Sequence, residues 1–560
     1  MPKGIYGNIG CSEDGHPKFE PTEHQKETVK YFLSSPYKGL LLYHKLGSGK
    51  TCTSILIADA MLKAKKIKKV YIMTPGSLRD GWITEYCKVC GESKNMLSKD
   101  YVFITYNYMV GKNLPDFTGC LVIIDEVHNL INGAKNMSLH PTLIYDTLLK
   151  SDCKILALSG TPIYNYVYEF ALLGNLLKPG GEFPEIRKGK GEIDSFAFMK
   201  LFDVGDDGNL KPKNKTVMKR KLDGIISYYP GAGSDFVPEI INEPIIKVKM
   251  TNKQEENYWE AQIQEEKFNI PPRPKLKYEN PKLYDVLRRL YIMAKKNILT
   301  RTASNFFYNE KDIDISKKLL QVEDKDAIEI IQKKPDLPVS SGGWINKDLF
   351  KDGELYKIYS TKFTAFITNL ILHIGQKHVL FTFFKSKAGV YLLKTILGQC
   401  GIRAEIFSGD LDDKQRRSLL KVFNSPKNRY GDVIKVLLVT EAGAEGISVL
   451  EARHMHILES SPRMSKTIQA IGRVARYKSH IALPPEERKI RIWKYWSVAS
   501  EDPVKIETTV YLPDGNIEKS EKIITNKITI DEILHKKGMK IINQVDSFLD
   551  LLKKVSATRY

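Results

Sequence analysis

A chain of 560 residues with 42% hydrophobic residues can bury sizeable apolar cores, and it is too long for a single core. These values exclude a small disulfide-stapled protein and an intrinsically disordered one. The formal net charge of +20 indicates a polyanionic partner, and nucleic acid is the first candidate.

The amino terminus, MPKGIYGNIG, lacks the apolar core of a signal peptide. No segment approaches the roughly 18 consecutive apolar residues that a membrane span requires. We therefore expect a soluble, intracellular protein with no membrane partner. The seven cysteines are scattered along the chain, and in a reducing compartment they are expected to be free thiols.

From about 36 to 180, short apolar runs alternate with helical stretches. The runs are GLLLYH, KKVYIMTP, YVFITY, CLVIIDE and KILALSG. This alternation is typical of a parallel sheet covered by helices on both faces, in which ligands collect at the carboxyl ends of the strands. The sequence therefore predicts an α/β domain here.

The first apolar run leads into HKLGSGKT, which includes Gly47, Ser48, Gly49, Lys50 and Thr51. Glycines at the start of a helix let backbone N–H groups surround phosphate oxygens. The lysine would neutralise the β- and γ-phosphates, and the threonine hydroxyl would bind Mg²⁺. A histidine replaces the first glycine of the general P-loop pattern, so the alternative is an ordinary glycine-rich turn before Lys-Thr.

The run CLVIIDE places Asp125 and Glu126 at the end of a very apolar strand. Adjacent carboxylates are tolerated there because a cation can pair with them at the exposed strand end. Asp125 would hold Mg²⁺, and Glu126 would orient or deprotonate an attacking water. The alternative is a helix-capping Asp-Glu pair.

The rest of the chain predicts three further regions after a first domain at 1–180. Residues 181–340 are rich in Gly, Pro and charges, and they predict an inserted subdomain of loops and helices. Residues 341–500 contain a second α/β series, and residues 501–560 predict a hairpin followed by an amphipathic helical tail. The net charges of 1–180, 181–340 and 341–560 are +5, +3 and +12, so the basic excess lies mainly in the last segment.

In the second series, the segment QAIGRVAR carries Arg473 and Arg476 three residues apart, hence on one helix face. Two guanidinium groups suit a γ-phosphate whose negative charge is spread over its oxygens. A solvated basic helix face is the alternative. If both series bind one nucleotide, ATP would be held between the two domains.

Taken in order, these segments resemble the motifs of superfamily 2 helicases and translocases. The resemblance implies two tandem RecA-like parallel-sheet domains, an inserted mixed or helical subdomain, a helical C-terminal tail, and use of ATP and Mg²⁺. The matching segments are His24-Gln25, TPGSL (74–78), Thr105-Tyr106, DEVH (125–128), SGTP (159–162), FTFFKSK (381–387), TEAGAEGI (440–447) and QAIGRVAR (469–476).

Motif positions imply further roles. Two further residues are expected to bind nucleotide, Gln25 and Gln469. The residues expected to couple nucleotide binding to nucleic-acid binding are His128, Ser159, Thr161 and Gly446. The residues expected to contact nucleic acid are Thr74, Gly76, Thr105, Lys385 and Thr440. These residues would contact the phosphate backbone of the nucleic acid. Binding to that backbone is sensitive to salt and does not depend on the base sequence.

Two finer strings, LSGTPIYNYVYEFALLGNLL and TPGSLRDGW, are similar to the Swi/Snf-like branch, and LLYHKLGSGKT is similar to a narrower group within it. Within it the likeness extends to the transcription ATPases of large DNA viruses, namely the poxvirus early transcription factor small subunit and nucleoside triphosphate phosphohydrolase. The resemblance implies a DNA translocase or helicase in viral transcription, with a viral RNA polymerase or transcription-factor subunit as partner. Its expected location is a cytoplasmic viral factory or the virion, with the host nucleus as the alternative.

Two other functions fit the same motifs. One is an RNA helicase, since RNA and DNA motors share them. The other is a scaffold that binds polymerase without hydrolysing ATP. Such a protein would not need Lys50, Asp125, Glu126 and Arg476, so their presence argues against this alternative.

The pair Cys87 and Cys90 has the spacing of half a zinc site, but no second pair lies near it in the sequence, so an ordinary helix is the preferred interpretation.

Overall fold

Apolar runs of the sequence form two separate seven-stranded sheets in the computed structural model. Each sheet belongs to its own unit, the first comprising Met1–Gly233 with Met539–Tyr560 and the second Ser234–Gly538. The structure describes residues 5–6, 20–45, 48–75, 79–90, 100–104, 114–163, 165–180, 182–188, 192–231, 236–307, 360–385, 388–444, 447–461, 464–476, 478–511 and 517–558.

Twenty strands and eighteen α-helices are present in the described residues. The strands are β1 Ile5–Tyr6, β2 Gly39–His44, β3 Val70–Met73, β4 Tyr101–Ile104, β5 Leu121–Asp125, β6 Lys154–Leu158, β7 Arg187–Lys188, β8 Glu192–Ile193, β9 Phe202–Val204, β10 Leu210–Pro212, β11 Ile226–Tyr229, β12 Glu239–Asn242, β13 Ile246–Lys249, β14 His378–Thr382, β15 Ala404–Phe407, β16 Val436–Thr440, β17 His454–Ile457, β18 Lys489–Val498, β19 Val504–Tyr511 and β20 Ile517–Ile524. The helices are α1 Glu23–Ser34, α2 Lys50–Lys63, α3 Arg79–Glu85, α4 His128–Lys135, α5 Leu139–Lys150, α6 Phe170–Leu177, α7 Ser195–Met199, α8 Lys215–Leu222, α9 Asn252–Phe268, α10 Leu276–Glu279, α11 Pro281–Lys295, α12 Ile298–Asn305, α13 Thr361–Leu372, α14 Val390–Gln399, α15 Asp413–Phe423, α16 Glu441–Ala444, α17 Met464–Val474 and α18 Ile530–Lys554. None of these helices is both long enough and apolar enough to cross a bilayer.

The first sheet has the strand order β1-β4-β3-β5-β6-β2-β11. Its strands run parallel except β1, which is antiparallel to β4. Side chains alternate along a strand, so Leu121 and Ile123 of β5 enter one apolar cluster while Val122 and Ile124 enter the other. Burial on both faces explains why this run is continuously apolar and why its first carboxylate comes at its end.

The second sheet has the order β12-β18-β17-β14-β16-β15, with β13 also pairing with β18, and all its strands are parallel. Its two faces bury separate clusters, with Leu380 and Leu438 in one and Phe381 and Val439 in the other. The two sheets confirm the predicted α/β fold with two RecA-like domains.

The segment 181–340 is divided between the units, whereas the sequence predicts a single inserted subdomain there. Strand β11, the run ISYY, pairs with β2 and extends the first sheet. Strands β12 and β13 pair with β18 and extend the second sheet. The reason is that these short apolar runs complete open sheet edges, which a composition rich in Gly, Pro and charge does not reveal.

The carboxyl-terminal region forms an antiparallel pair and a long helix. Strands β19 and β20 pair over eight residues each, and the predicted Asp-Gly turn lies outside the described residues. Helix α18 is shared, because its residues up to Gly538 belong to the second unit and those from Met539 belong to the first. Phe548 and Leu552 of this helix are buried in the first unit's core.

The expectation of free thiols holds for only some of the cysteines. Cys120 and Cys153 are free, whereas Cys52 and Cys90 form a disulfide with their Cα atoms 5.6 Å apart. The prediction was wrong for this pair: it rested on the scattered spacing of the cysteines and on a reducing compartment, and the fold brings these two together. A single π-helical turn, Tyr86–Cys90, carries Cys90 to the first turn of α2.

Candidate active site

The described residues between β2 and α2 suit the binding of phosphate. Gly49 adopts a left-handed backbone with φ of +74° and immediately precedes the first residue of α2, Lys50. The Lys50 ammonium donates hydrogen bonds to the carbonyl oxygens of His44 at 2.8 Å and Lys45 at 3.3 Å. It therefore lies within the loop, at the positive end of a helix, where phosphate oxygens would replace these carbonyls. Gly47 lies outside the described residues.

The carboxylate of Asp125 lies at the carboxyl end of β5, inside the first unit. Its Oδ2 accepts hydrogen bonds from Trp82 Nε1 at 2.8 Å and from the Thr74 hydroxyl at 3.4 Å. Its Oδ1 accepts the backbone N–H of Glu126 at 3.0 Å. Burial raises the pKa of Asp125 despite the hydrogen bond from Trp82, as expected for a desolvated acid that a cation would stabilise.

Lys50 shares this environment. Burial lowers the pKa of Lys50, and the negative charges of Glu126 and Asp125 act in the opposite direction. The predicted phosphate-binding lysine and the predicted acid pair are therefore neighbours, although about seventy residues separate them in the sequence. The parallel order of the strands produces this proximity, since carboxyl ends meet at one edge of a sheet.

Glu126 is held in a strained backbone conformation. Its φ is +49°, in the left-handed region that residues with a Cβ atom rarely adopt. Its Oε2 lies 3.4 Å from Nδ1 of His128, and the same nitrogen lies 3.3 Å from the Ser159 hydroxyl. Ser159 Oγ in turn accepts the backbone N–H of Thr161 at 3.0 Å. Backbone strain of this kind concentrates at functional sites.

These contacts join three of the residues predicted to couple nucleotide to nucleic-acid binding. His128, Ser159 and Thr161 form one hydrogen-bonded series that begins at Glu126. The fourth predicted coupling residue, Gly446, lies outside the described residues. A movement of the Glu126 carboxylate would therefore change the hydrogen bonds of Ser159 and Thr161, which follow β6.

Upstream of the loop, Gln25 lies at the first turn of α1. Its Oε1 accepts the Thr22 backbone N–H at 3.0 Å in a capping box, and its Nε2 lies 3.4 Å from the Gly49 carbonyl oxygen. The neighbouring His24 contacts the Ser48 carbonyl oxygen at 3.0 Å through Nε2. Gln25, which the sequence assigns to nucleotide binding, thus contacts the backbone just before α2.

His44 and His24, which lie beside this loop, are held by residues that the sequence motifs do not include. These residues are Ser227, Thr558 and Tyr229. His44 Nε2 lies 2.8 Å from the Ser227 hydroxyl, which lies 2.7 Å from the Thr558 hydroxyl. The ring of His24 stacks on Tyr229 with centroids 3.7 Å apart. Burial lowers the pKa of His44 to about 3, so the imidazole is neutral at physiological pH. No short motif could have revealed contacts made across 183 and 331 residues.

The arginines and Gln469 lie in the second unit, on and just beyond α17. All three side chains are half-buried. The Arg473 carbonyl accepts the Val449 backbone N–H at 3.2 Å, and the Arg476 backbone N–H donates to the Ser479 hydroxyl at 3.1 Å. These bonds fix the backbone that carries the two guanidinium groups.

The predicted nucleic-acid contacts differ in their surroundings. Thr74 and Thr440 are buried at the ends of β3 and β16, with side chains 1% and 6% exposed. Lys385 is more open and pairs with the Asp410 carboxylate, which raises the pKa of the lysine. Gly76 and Thr105 lie outside the described residues. The proposed contacts to nucleic acid remain predictions at all five positions.

The site's donor set fits a nucleoside triphosphate with Mg²⁺. The hydroxyl oxygen of Ser48 is buried and has no hydrogen-bond partner among the described residues, which suits a phosphate oxygen. Asp125 offers a desolvated carboxylate, and Thr51 offers a hydroxyl on the first turn of α2. These are the oxygen ligands that Mg²⁺ prefers.

Comparisons with known proteins agree with this geometry. The profile of the type III restriction enzyme res subunit matches residues 18–164, and that of the helicase conserved C-terminal domain matches residues 361–478. Each of the two units therefore contains a family match. The first match covers strands of the first sheet, and the second match covers strands of the second sheet.

Two of the relatives come from large DNA viruses. R563 of Acanthamoeba polyphaga mimivirus, described as a candidate ATP-dependent RNA helicase, is 25% identical over 87% of this chain and 85% of its own. A termination factor NPH-I homolog of African swine fever virus is 24% identical over 93% of this chain and 76% of its own. The solved SWI2/SNF2 ATPase core of Sulfolobus solfataricus with double-stranded DNA is 18% identical, with coverage of 88% and 90% and a TM-score of 0.33. The two family matches together support an ATP-hydrolysing enzyme of the superfamily 2 helicase type, similar in sequence to proteins of large DNA viruses.

Proposed function

We propose that the chain is a nucleic-acid-stimulated ATPase that translocates on DNA during viral transcription. The observation that carries the proposal is the arrangement of Lys50, Asp125 and Glu126 at one edge of the first sheet, with Glu126 held at φ of +49°. A half-buried lysine, a desolvated acid and a strained glutamate in one place are the groups that nucleotide hydrolysis needs.

Each group has a distinct task in this proposal. The N-terminus of α2 and the Lys50 ammonium bind the β- and γ-phosphates, exchanging the carbonyls of His44 and Lys45 for phosphate oxygens. Thr51 and Asp125 would hold Mg²⁺, which would neutralise phosphate charge when bound. Glu126 orients a water and accepts its proton, and His128 beside it holds the carboxylate in place.

The second unit contributes positive charge. Arg473 and Arg476 are proposed to stabilise the negative charge of the transferred γ-phosphate, as guanidinium groups do in related chemistry. The region 341–560 carries a net charge of +12, which favours it as the main contact for a phosphate backbone. Lys385 and Thr440 are the proposed contacts in that region.

The choice of transcription rests on the relatives, and the choice of DNA rests on the resemblance of the sequence motifs to Swi/Snf-like translocases. The African swine fever virus proteins carry the name termination factor, and they match this chain over 93% of its length. We propose a corresponding role here, with a viral RNA polymerase or a transcription-factor subunit as partner. Its place of action would be the cytoplasmic viral factory or the virion.

ATP turnover by the full chain tests this proposal. Turnover should rise with double-stranded DNA, and Lys50→Ala and Glu126→Gln should each lower it by roughly a hundredfold or more, since a positioned base contributes a factor of that order. Glu27→Gln, at an exposed position of α1, is the matched control and should leave turnover unchanged. Wild-type turnover in either site variant would reject the assignment.

RNA helicase activity is the second candidate, and the description of the mimivirus relative favours it. The same assay separates the two when single-stranded DNA, duplex DNA and RNA are compared at equal nucleotide concentration. Stimulation by RNA alone, with displacement of a strand from a tailed RNA duplex, would replace the DNA proposal. Stimulation by duplex DNA without strand displacement would define a translocase.

A further inference from the structure

The segment 556–558 lies along the edge of the first sheet, beside strand β11. This strand is the last of its sheet and pairs with β2 on one side. On its other side, the Ala557 backbone N–H donates to the Ile226 carbonyl oxygen at 2.8 Å, and the Tyr228 backbone N–H donates to Ser556 Oγ at 2.9 Å. The segment also forms an isolated parallel β-bridge with β11. It therefore pairs backbone groups at an edge that β2 leaves open.

A series of side-chain hydrogen bonds runs from this segment to the loop between β2 and α2. Thr558 Oγ1 lies 2.7 Å from Ser227 Oγ, which in turn lies 2.8 Å from His44 Nε2. His44 is the last residue of β2, and its carbonyl oxygen accepts a hydrogen bond from the Lys50 ammonium at 2.8 Å. The series therefore ends on the lysine that is proposed to bind the β- and γ-phosphates.

These side chains are shielded from solvent. Ser227 and His44 are 0% exposed and Thr558 is 6% exposed, so bulk water does not replace a partner that is lost. Burial lowers the pKa of His44 to about 3, so its imidazole is neutral and carries one N–H. A neutral imidazole and two hydroxyls can each donate one proton and accept another, so the series forms with either tautomer. Loss of one hydroxyl leaves a buried neighbour with one partner fewer.

Strand β11 also supports the other end of the same loop. The ring of His24 stacks on Tyr229, the last residue of β11, with centroids 3.7 Å apart. Nε2 of this histidine lies 3.0 Å from the Ser48 carbonyl oxygen, just before α2. The strand that the segment 556–558 holds in place thus contacts the loop at its start and near its end.

We propose that Thr558 is a positioning residue for the nucleotide, a role that rests on the proposed function because it requires ATP to bind at this loop. Thr558 acts through Ser227, which holds the imidazole of His44. In the proposed function, Lys50 exchanges the His44 carbonyl oxygen for phosphate oxygens. A His44 that is held by its side chain keeps the start of the loop in place during this exchange, and a binding site that is already ordered binds its ligand more tightly.

Affinity for a fluorescent ATP analogue, measured on the full chain with Mg²⁺ and without nucleic acid, tests the proposal. Thr558→Val removes the hydroxyl and nearly preserves the shape of the side chain, so it should weaken binding about fivefold, the effect of one buried hydrogen bond. Thr558→Ser keeps the hydroxyl and should stay within about twofold of the wild type. In ATP turnover, Thr558→Val should raise KM about fivefold and leave kcat within about twofold.

Ser151→Ala is the matched control. The Ser151 hydroxyl donates to the Thr147 carbonyl oxygen at 2.8 Å in the same unit, and it precedes the amino end of β6, whereas ATP is proposed to bind at the carboxyl ends of the strands. This variant should keep wild-type affinity even where its urea midpoint falls as far as that of Thr558→Val. Wild-type affinity in Thr558→Val would overturn the proposal, and so would a loss of affinity in both variants in proportion to their loss of stability.

A measurement on the wild type decides the question if Thr558→Val does not fold. Coupling between two sites is reciprocal, so a segment that assists nucleotide binding is itself stabilised by the nucleotide. Amide hydrogen exchange of residues 226–229 and 556–558 should therefore slow about fivefold when the ATP analogue is bound. Unchanged exchange there, with protection of residues 48–51, would overturn the role of Thr558 and leave the proposed function intact. A wild type that binds no nucleotide would instead refute the proposed function.

Discussion

A buried ion pair connects the ends of two helices in the second unit. Lys362 Nζ lies 2.6 Å from Asp531 Oδ2, and the lysine side chain is 0% exposed. The aspartate also accepts the Ser304 hydroxyl at 2.7 Å and the backbone N–H groups of Ser497 at 3.1 Å and Ser460 at 3.3 Å. Both charges are thus fully compensated, which is the condition under which a buried pair is tolerated.

Asp531→Ala should destabilise the second unit by about 3–5 kcal/mol, because it leaves the Lys362 ammonium buried without a counter-charge. The free energy of unfolding in urea measures the effect. Asp550→Ala on the same helix is the control, since its pair with Lys553 is solvent-exposed and should contribute less than about 1 kcal/mol. Equal losses in the two variants would contradict the account of the buried pair.

At the level of elements, strands β14 and β17 place three histidines side by side. His378 and His454 are register partners, and His378 Nδ1 lies 3.0 Å from Nε2 of His456. The Tyr495 hydroxyl on β18 and the Gln376 amide contact His456 and His454 respectively. The stack is therefore satisfied by hydrogen bonds only while its imidazoles are neutral.

Titration of this stack should make the second unit sensitive to mild acid. Burial lowers the pKa of His378 to about 4 and that of His454 to about 2, whereas both would titrate near 6.5 in the unfolded chain. Below that pH the unfolded state binds more protons, so stability present at neutral pH is lost as the pH falls. Each histidine should contribute a loss of about 1 kcal/mol between about pH 7.5 and about pH 5.5.

Urea midpoints at the two pH values measure this loss. His378→Asn should reduce the pH dependence, because the asparagine cannot take up a proton. His140→Asn, on α5 of the first unit, is the control and should leave the pH dependence of the second unit unchanged. An unchanged pH dependence in His378→Asn would show that other groups cause the acid sensitivity.

The sequence predicts the strands that lead to Lys50 and Asp125, and it predicts that these two residues lie close together. Lys50 and Asp125 each follow a short apolar run, and parallel strands bring the ends of such runs together, so local pattern is enough to predict their proximity. The left-handed backbone of Glu126 and the bond from Trp82 to Asp125 were not predictable, because they depend on packing between elements.

For the whole molecule, sequence order was a poor guide to which residues share a unit. The predicted tail at 501–560 contributes Phe548 to the first core, and Thr558 contacts Ser227 beside β2. Cys52 and Cys90 meet although 38 residues separate them. Each of these contacts joins parts of the chain through tertiary structure, and neither composition nor periodicity carries information about them.

The carboxyl-terminal half of α18 should therefore be essential to the first unit, although it comes last in the chain. Phe548 is 1% exposed, and its ring lies edge-on to Phe170 at 5.1 Å and to Phe198 at 5.9 Å. Phe548→Ala removes this aromatic contact and leaves a cavity, which should destabilise the first unit by about 3–5 kcal/mol. Met539→Ala, at an exposed position of the same helix, should change stability by less than about 0.5 kcal/mol. Thermal unfolding of the full chain measures both, and a Phe548→Ala transition as high as that of Met539→Ala would contradict the stabilising role of Phe548 in the first core.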